Sequence, residues 1–323
     1  MAFGARPNIV TSPFDALKSC MISLTMIMFM SHRHLNRWDM GGTQFTKSDS
    51  TFRWVVKRIF RAAICVAALL TIPTLASAAP PIPLPPAAGQ FDYQLGGSYL
   101  PPEGTEIVAR DRKDKPASGA YNICYINAYQ TQPQETSWWR QHYPELLLRD
   151  KIDKEIVDPD WPDEVLFDIR TKAKRSRLAS VLNTWIEGCA RDGFNAVEPD
   201  NLDSYTRSRG LLRKADNIAL ARLMTKFAHK KGLAIAQKNT SELASQGRAI
   251  GFDFAVVEEC QVYNECNVYI KTYGRLVIEI EYTDNGTSAF ETSCKARRGQ
   301  ISIVLRDRDL SRPGDPDYAF KSC

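Results

Sequence analysis

Four apolar, β-prone runs in this chain end in carboxylates. "GFNAVEPDNLDSY" (193–205) carries Glu198, Asp200 and Asp203, with Asn201 among them. "FDFAVVEEC" (252–260) ends in Glu258 and Glu259, "RLVIEIEY" (275–282) carries Glu279 and Glu281, and "EVLFDI" (164–169) carries Asp168. One acidic strand end is ordinarily a turn or a helix cap. Four of them are harder to dismiss, because crowded carboxylates repel and burial disfavours their charged forms. The chemistry such a cluster suits is paired-carboxylate catalysis. Glycoside hydrolysis needs two carboxyl groups flanking one bond, roughly 5–5.5 Å apart for retention and roughly 6.5–9.5 Å for inversion. The sequence has no nucleophile elbow, no Ser-His-Asp set and no dinucleotide fingerprint. Tyr93, Tyr125, Tyr205, Tyr263 and Tyr282 lie near the same run ends, where they either stack on sugar rings or pack the rim.

Positioning such groups falls to strands that alternate with helices. Strand-like runs occur at 91–95, 121–127, 164–169, 193–198, 232–237, 252–257, 275–280 and 300–306. Apolar spacings of three and four predict helices over 172–190 and 216–231, with Asp216 as N-cap and Gly232 as stop. Eight strands alternating with helices predict an α/β fold, a (β/α)8 TIM barrel forming a single domain over 91–323. A doubly wound sheet ranks lower, since "QLGGSY" is not a phosphate-binding turn. Strand alternation places Glu198 with Phe194 and Ala196, and Glu258 with Phe254 and Val256. It groups Glu279 and Glu281 with Val277 toward the mouth, leaving Ile278 and Ile280 for the helices, and pairs Leu166 with Asp168.

The first 78 residues read differently. Arg53, Lys57, Arg58 and Arg61 precede "AAICVAALLTIPTL" and "ASAAP", the pattern of a signal peptide over 53–78, with an upstream extension and Met40 as an alternative start. The apolar run is short and holds Pro73, so no stable membrane insertion is expected. "PPIPLPP" makes 79–90 a stiff Pro-rich linker. Beyond residue 78 there are 33 Lys/Arg against 34 Asp/Glu, so the +5 of the whole chain belongs to the leader and argues for no nucleic-acid partner. Six cysteines remain, an even count that suits disulfides in an exported protein. Cys260–Cys266 would close a small loop and Cys294–Cys323 would tie down the C-terminus. Cys124 and Cys189 read equally well as buried thiols or as a bridge. With only His142 and His229 left, and neither at ligand spacing from a cysteine pair, no metal or other cofactor is expected.

"GFNAVEPDNLDSY", "GLAIAQKN", "FDFAVVEECQVYNEC" and "LVIEIEY", in this order, closely resemble the endo-α-1,4-polygalactosaminidases, a family of glycoside hydrolases, over about Phe91 to Asp309. "CYINAY" and "LFDIR" add to the likeness. The resemblance implies a (β/α)8 barrel that cleaves α-1,4-linked galactosamine polymers internally. It implies Asp200 and Glu258 as the catalytic pair, nucleophile and acid/base in a retaining reaction with the roles exchangeable. It also implies Lys238 and Asn239 as groups that position a sugar or tune Asp200, and it supports the Cys260–Cys266 bridge. The chain departs from the family pattern at Val257 and Glu259 beside Glu258, and at Asn127, Ala128 and Tyr129. A cationic amino-sugar polymer would be drawn to a rim carrying Asp168, Glu198, Asp203, Glu259, Glu279 and Glu281, with Asn201, Tyr125 and Tyr282 also lining the site. Two other readings remain: a secreted barrel that binds such a glycan without cleaving it, and a hydrolase of the same mechanism on another amino-sugar polymer.

Overall fold

The computed structural model describes residues 37–40, 43–46 and 81–323. Arg37–Met40 and Thr43–Thr46 form a short antiparallel pair by themselves. The expected signal segment lies outside the described residues. Among the described residues no helix is long and apolar enough to cross a membrane.

From residue 91 the chain builds a barrel wall of eight parallel strands that follow one another in sequence order. They are β1 (Phe91–Gln94), β2 (Ile107–Asp111), β3 (Tyr121–Asn127) and β4 (Ala196–Asp200). The second half is β5 (Ala234–Lys238), β6 (Phe254–Glu258), β7 (Val277–Tyr282) and β8 (Ser302–Arg306). A short β9 (Phe320–Ser322) pairs antiparallel with β8. The helices are α1 (Thr136–His142), α2 (Lys172–Asp192), α3 (Ser204–Arg207), α4 (Lys214–Lys230), α5 (Gly247–Ile250), α6 (Cys266–Tyr273) and α7 (Ser288–Arg297). Phe91, Ile107, Ile123, Phe254, Val256, Ile278, Ile280 and Val304 fill the barrel, with the smaller Ala196, Ala234 and Ala236 on β4 and β5. A second apolar layer lies between the wall and the helices, where Leu178, Leu182 and Ile186 of α2 meet Leu220 and Met224 of α4. Thr171 caps α2 by accepting from the Lys174 N–H at 3.2 Å, and Gly193 ends it at φ 96°, a left-handed turn that suits glycine. Asp216 is not the N-cap of α4. It stands three residues inside, and its carboxylate accepts from the backbone N–H of the cap residue Arg213.

Two strand expectations are corrected. The second strand is "IVARD" (107–111), which is short and carries a buried arginine. "EVLFDI" is not a wall strand: it makes isolated antiparallel bridges, Leu166 to Gln130 and Phe167 to Leu147, inside a long excursion between β3 and α2. Strand β7 also turns opposite to the expected face. Ile278, Ile280 and Tyr282 point into the barrel, while Val277 packs in the helix layer, and Glu279 and Glu281 share its parity. Wall strands are apolar on both sides, so alternation separates their two faces without saying which is inner.

The wall lacks a hydrogen-bonded ladder between β8 and β1 among the described residues. The connections from β1 to β2 and from β2 to β3 carry no helix. The outer side there is polar. Asp92 and Gln94 are fully buried, bonded to each other at 2.7 Å, and Arg110 donates to Gln94 at 2.9 Å. Arg306, also fully buried, bridges the seam by donating to Asp92 at 2.8 Å and to the carbonyl of Tyr93. The segment before β1 packs on this body, with the Tyr121 hydroxyl donating to the Pro83 carbonyl at 2.9 Å. Three disulfides complete the frame. Cys124–Cys189 joins β3 to α2, Cys260–Cys266 closes the loop after β6, and Cys294–Cys323 fastens the C-terminal segment to α7.

Candidate active site

Six strands deliver one side chain or more to a single point at the C-terminal mouth, and a lysine stands in the middle. Lys238, the last residue of β5, is buried. Its Nζ lies 3.1 Å from Glu198 Oε1, 3.3 Å from Asp200 Oδ2 and 3.2 Å from Glu258 Oε2. It also donates to the Tyr93 hydroxyl at 3.0 Å, and that hydroxyl donates to Glu198 at 2.7 Å. Two carboxylates sharing one ammonium have facing oxygens at most about 6.5 Å apart, the sum of those two separations. Asp200 accepts further from the Tyr125 hydroxyl at 2.8 Å and from the Asn201 N–H at 2.7 Å. Glu258 accepts from Asn239 Nδ2 at 2.8 Å and from the Tyr282 hydroxyl, while Asn239 Oδ1 takes the Glu258 N–H at 2.8 Å. Asp200 and Glu258 keep 19% and 24% of their side chains open to solvent, whereas Glu198 has none.

Electrostatics separate these groups. Burial would lower the Lys238 ammonium, but Asp200, Glu258 and Glu198 outweigh it and hold the pKa well above the usual lysine value. Burial also works against the Asp200 carboxylate, and is outweighed by Lys238, Tyr125 and the Asn201 N–H, so its pKa falls below the ordinary range. At Glu198 burial wins over Lys238 and Tyr93, and the pKa rises; its second oxygen has no partner among the described residues. The site therefore has an ionised aspartate at the surface and a basement carboxyl that helps hold Lys238 in place.

Each of the three strand ends turns in the same way. The residues after Asp200, Lys238 and Glu258 are Asn201, Asn239 and Glu259, at φ 66°, 45° and 58°. Left-handed backbone costs an L-residue roughly 1–2 kcal/mol, less for asparagine, whose short amide side chain bonds locally. Asn201 Nδ2 donates to Asn127 Oδ1 at 2.9 Å, and its Oδ1 accepts from Arg207 at 2.9 Å. Asn239 is held by Glu258 itself. Glu259 has no such local excuse, and Arg308 grips it with two hydrogen bonds, at 2.6 and 3.1 Å.

Several acids expected at the rim stand elsewhere or are already paired. Asp168 lies in the excursion, buried and bound to Arg170 at 2.7 Å and Lys174 at 2.5 Å; these contacts outweigh burial and lower its pKa. Glu279 and Glu281 face the helix layer. Glu279 accepts from Ser293 and pairs with Arg297, and Glu281 accepts from the Gln261 N–H at 2.9 Å. Asp203 is at the rim but pairs with Arg207 at 2.8 Å. Glu198 is floor rather than rim, and Glu259 is neutralised by Arg308. The negative character of the mouth thus comes from three carboxylates around one ammonium, not from a ring of free acids. Three participants escaped sequence reasoning. Arg207 and Arg308 hold rim turns. Glu164 accepts from Asn127 and Gln130 at 2.8 and 2.7 Å, and burial pushes its pKa up to about 7. None of the three sits at the C-terminal end of an acidic strand run.

A parallel (β/α)8 wall with carboxylates from separate strands meeting at its C-terminal mouth is the arrangement of the barrel glycoside hydrolases. The chain belongs to glycoside-hydrolase family GH114, whose model matches residues 72–323, and it is a glycoside hydrolase. Among solved structures it is similar to Ega3 of Aspergillus fumigatus, crystallised in complex with galactosamine. That likeness has 20% identity and a TM-score of 0.62, and covers 77% of this chain and 100% of the other. The glycoside hydrolase domain of PelA from Pseudomonas aeruginosa is a more distant match, with 12% identity, a TM-score of 0.48 and coverage of 71% and 99%. Among curated proteins none matches.

Proposed function

We propose that this chain is a secreted endo-glycosidase of α-1,4-linked galactosamine polymers, acting by retention with Asp200 as nucleophile and Glu258 as acid/base. The observation that carries the reading is the shared ammonium. Asp200 and Glu258 come from different strands, remain partly open to solvent, and approach within 3.3 Å of the same Lys238 Nζ. The resulting upper bound on their separation accommodates the roughly 5–5.5 Å of a retaining pair. Glu258 gives its proton to the departing glycosidic oxygen while an Asp200 oxygen bonds to the anomeric carbon. Water, deprotonated by Glu258, then breaks that ester bond and regenerates both groups. Asp200 suits the nucleophile's role because its carboxyl is held ionised. Tyr125 and the Asn201 N–H aim it, and Asn239 and Tyr282 aim Glu258.

The net negative floor favours a sugar bearing an ammonium over a polyuronate. The likeness to a hydrolase crystallised with galactosamine points the same way. The three disulfides fit an oxidising compartment, and N-terminal sequencing of exported protein should begin near Ala79; active protein retaining 53–78 would refute secretion by cleavage.

The test is product analysis on purified protein with a panel of amino-sugar polymers. Shortened oligosaccharides from polygalactosamine are expected, and their absence with binding retained would leave a glycan-binding barrel. Cleavage of a different polymer only would transfer the mechanism to that substrate. Asp200→Asn and Glu258→Gln should each lower kcat/KM by roughly 10^3-fold or more in protein that still folds, because both act on the transition state. Full activity in either variant refutes the assignment.

A further inference from the structure

At the rim, Arg308 makes four hydrogen bonds and one ring contact, none of them to Asp200 or Glu258. It lies two residues beyond β8 and reaches back over the ends of β6 and β7. Its guanidinium donates twice to Glu259, at 2.6 and 3.1 Å, and twice to Asp284, at 2.8 and 3.0 Å. Its plane centre stands 4.0 Å above the ring of Tyr282, whose hydroxyl donates to Glu258. Both contacts converge on one carboxylate. Glu259 follows Glu258 directly, and the Tyr282 hydroxyl is one of the groups that fix Glu258 Oε1. The left-handed φ of 58° at Glu259 also brings its N–H onto the Ile280 carbonyl at 2.7 Å, locking the end of β6 to β7. Asn285 adds a further hydrogen bond to Glu259. A residue clamped at its carboxylate tip cannot swing back to extended backbone without breaking these bonds.

We propose that Arg308 is a positioning residue for catalysis, which sets the direction of Glu258 by holding Glu259 in its left-handed conformation. The proposal rests on Glu258 being a catalytic carboxylate. Arg308 touches neither Asp200 nor Glu258, and its charge is spent on Glu259 and Asp284, so it acts through the backbone and through Tyr282 rather than on the sugar.

The experiment separates backbone from charge. Arg308→Ala should lower kcat roughly tenfold, the weight of a conformation that is unfavourable by about 1–2 kcal/mol once released, with KM little changed. Adding Glu259→Gly should return kcat to within about fivefold of the parent, because glycine takes the left-handed turn without a clamp. Adding Glu259→Ala removes the same charge but not the strain, and should leave kcat low. Wild-type kcat in Arg308→Ala, rescue by alanine as good as by glycine, or rescue by neither would overturn the proposal. Thermal unfolding is followed throughout. If Arg308→Ala does not fold, Arg308→Lys, which keeps the charge without the fork, takes its place with the same two partners. Glu258→Gln in the same assay keeps the two ideas apart: activity there refutes the catalytic reading, whatever Arg308 does.

Discussion

Replacing Lys238 by methionine would test the architecture of the site most directly. Methionine keeps much of the length and the apolar stem but leaves Glu198, Asp200 and Glu258 with no cation between them. An opposite charge in contact favours a carboxylate by roughly 1–3 pKa units, about 1.4–4 kcal/mol, and here the ammonium is within 3.3 Å of all three. The Asp200 carboxyl, now held below the ordinary range, should rise, because burial would then act on it without the ammonium to oppose it. The acidic limb of the kcat/KM profile should therefore move up by roughly 1–3 pH units. Stability should follow the same sign. A depressed folded-state pKa stabilises the protein above the unfolded value, near 3.9, and that contribution disappears as pH falls through the folded value. Without Lys238 the part owed to the ammonium is gone at every pH, and removing one partner of a buried charge cluster costs about 3–5 kcal/mol, a figure that already contains it. The assay is a pH–rate profile on polygalactosamine, with 13C titration of the Asp200 carboxyl as a readout independent of turnover. A folded Lys238→Met variant with an unmoved Asp200 titration would refute the electrostatic account.

Glu281→Gln should leave kcat/KM within about threefold, since the side chain faces away from the mouth. It should also flatten the pH dependence of stability, because burial has pushed Glu281 up to about 8. Such a raised group stabilises the folded state fully below its unfolded value and loses that contribution as pH rises through the folded one, so the parent should lose more than the variant between pH 5 and 8 in thermal melts. Non-reducing peptide maps should show all three bridges. Chain-entropy reasoning assigns about 4 kcal/mol to Cys124–Cys189 and about 2 kcal/mol to Cys260–Cys266 from the 65- and 6-residue separations, so serine pairs should rank in that order under urea; equal losses would refute it.

The legible part of this molecule was the part in which chemistry and periodicity coincide. Asp200 and Glu258 end strands whose inner faces are Ala196 and Phe254–Val256, whereas Lys238 and Asn239 came to notice only through the family resemblance. What stayed hidden depended on partners distant in sequence. Glu279 and Glu281 alternate with isoleucines as a mouth-facing pair would, but Ser293 and Arg297 of α7 satisfy one of them from the other side. "IVARD" escaped because its outer face is completed by Gln94 and Tyr99 rather than by an apolar helix. "EVLFDI" has the strand's composition without its place in the wall, for bridges to Gln130 and Leu147 use the same apolar residues. The paired state of the rim acids was likewise invisible, since Arg207 and Arg308 are ordinary surface arginines by sequence.

The seam between β8 and β1 makes this barrel a cylinder fastened along one line. Where neighbouring strands share a ladder, opening requires several bonds to break together; at the seam the burden falls on the Arg306 guanidinium and the packing around it. Amides there should exchange with solvent through smaller openings than those of β4 to β6, on the far side of the wall. Two side chains reach from the seam strands toward the chemistry. Tyr93 belongs to β1, yet its hydroxyl binds both Glu198 and Lys238. Breathing of the wall at this line should therefore be felt at the site through Tyr93 from β1 and through Arg308 from the end of β8, while Asp200 and Glu258 themselves stand on strands away from the seam.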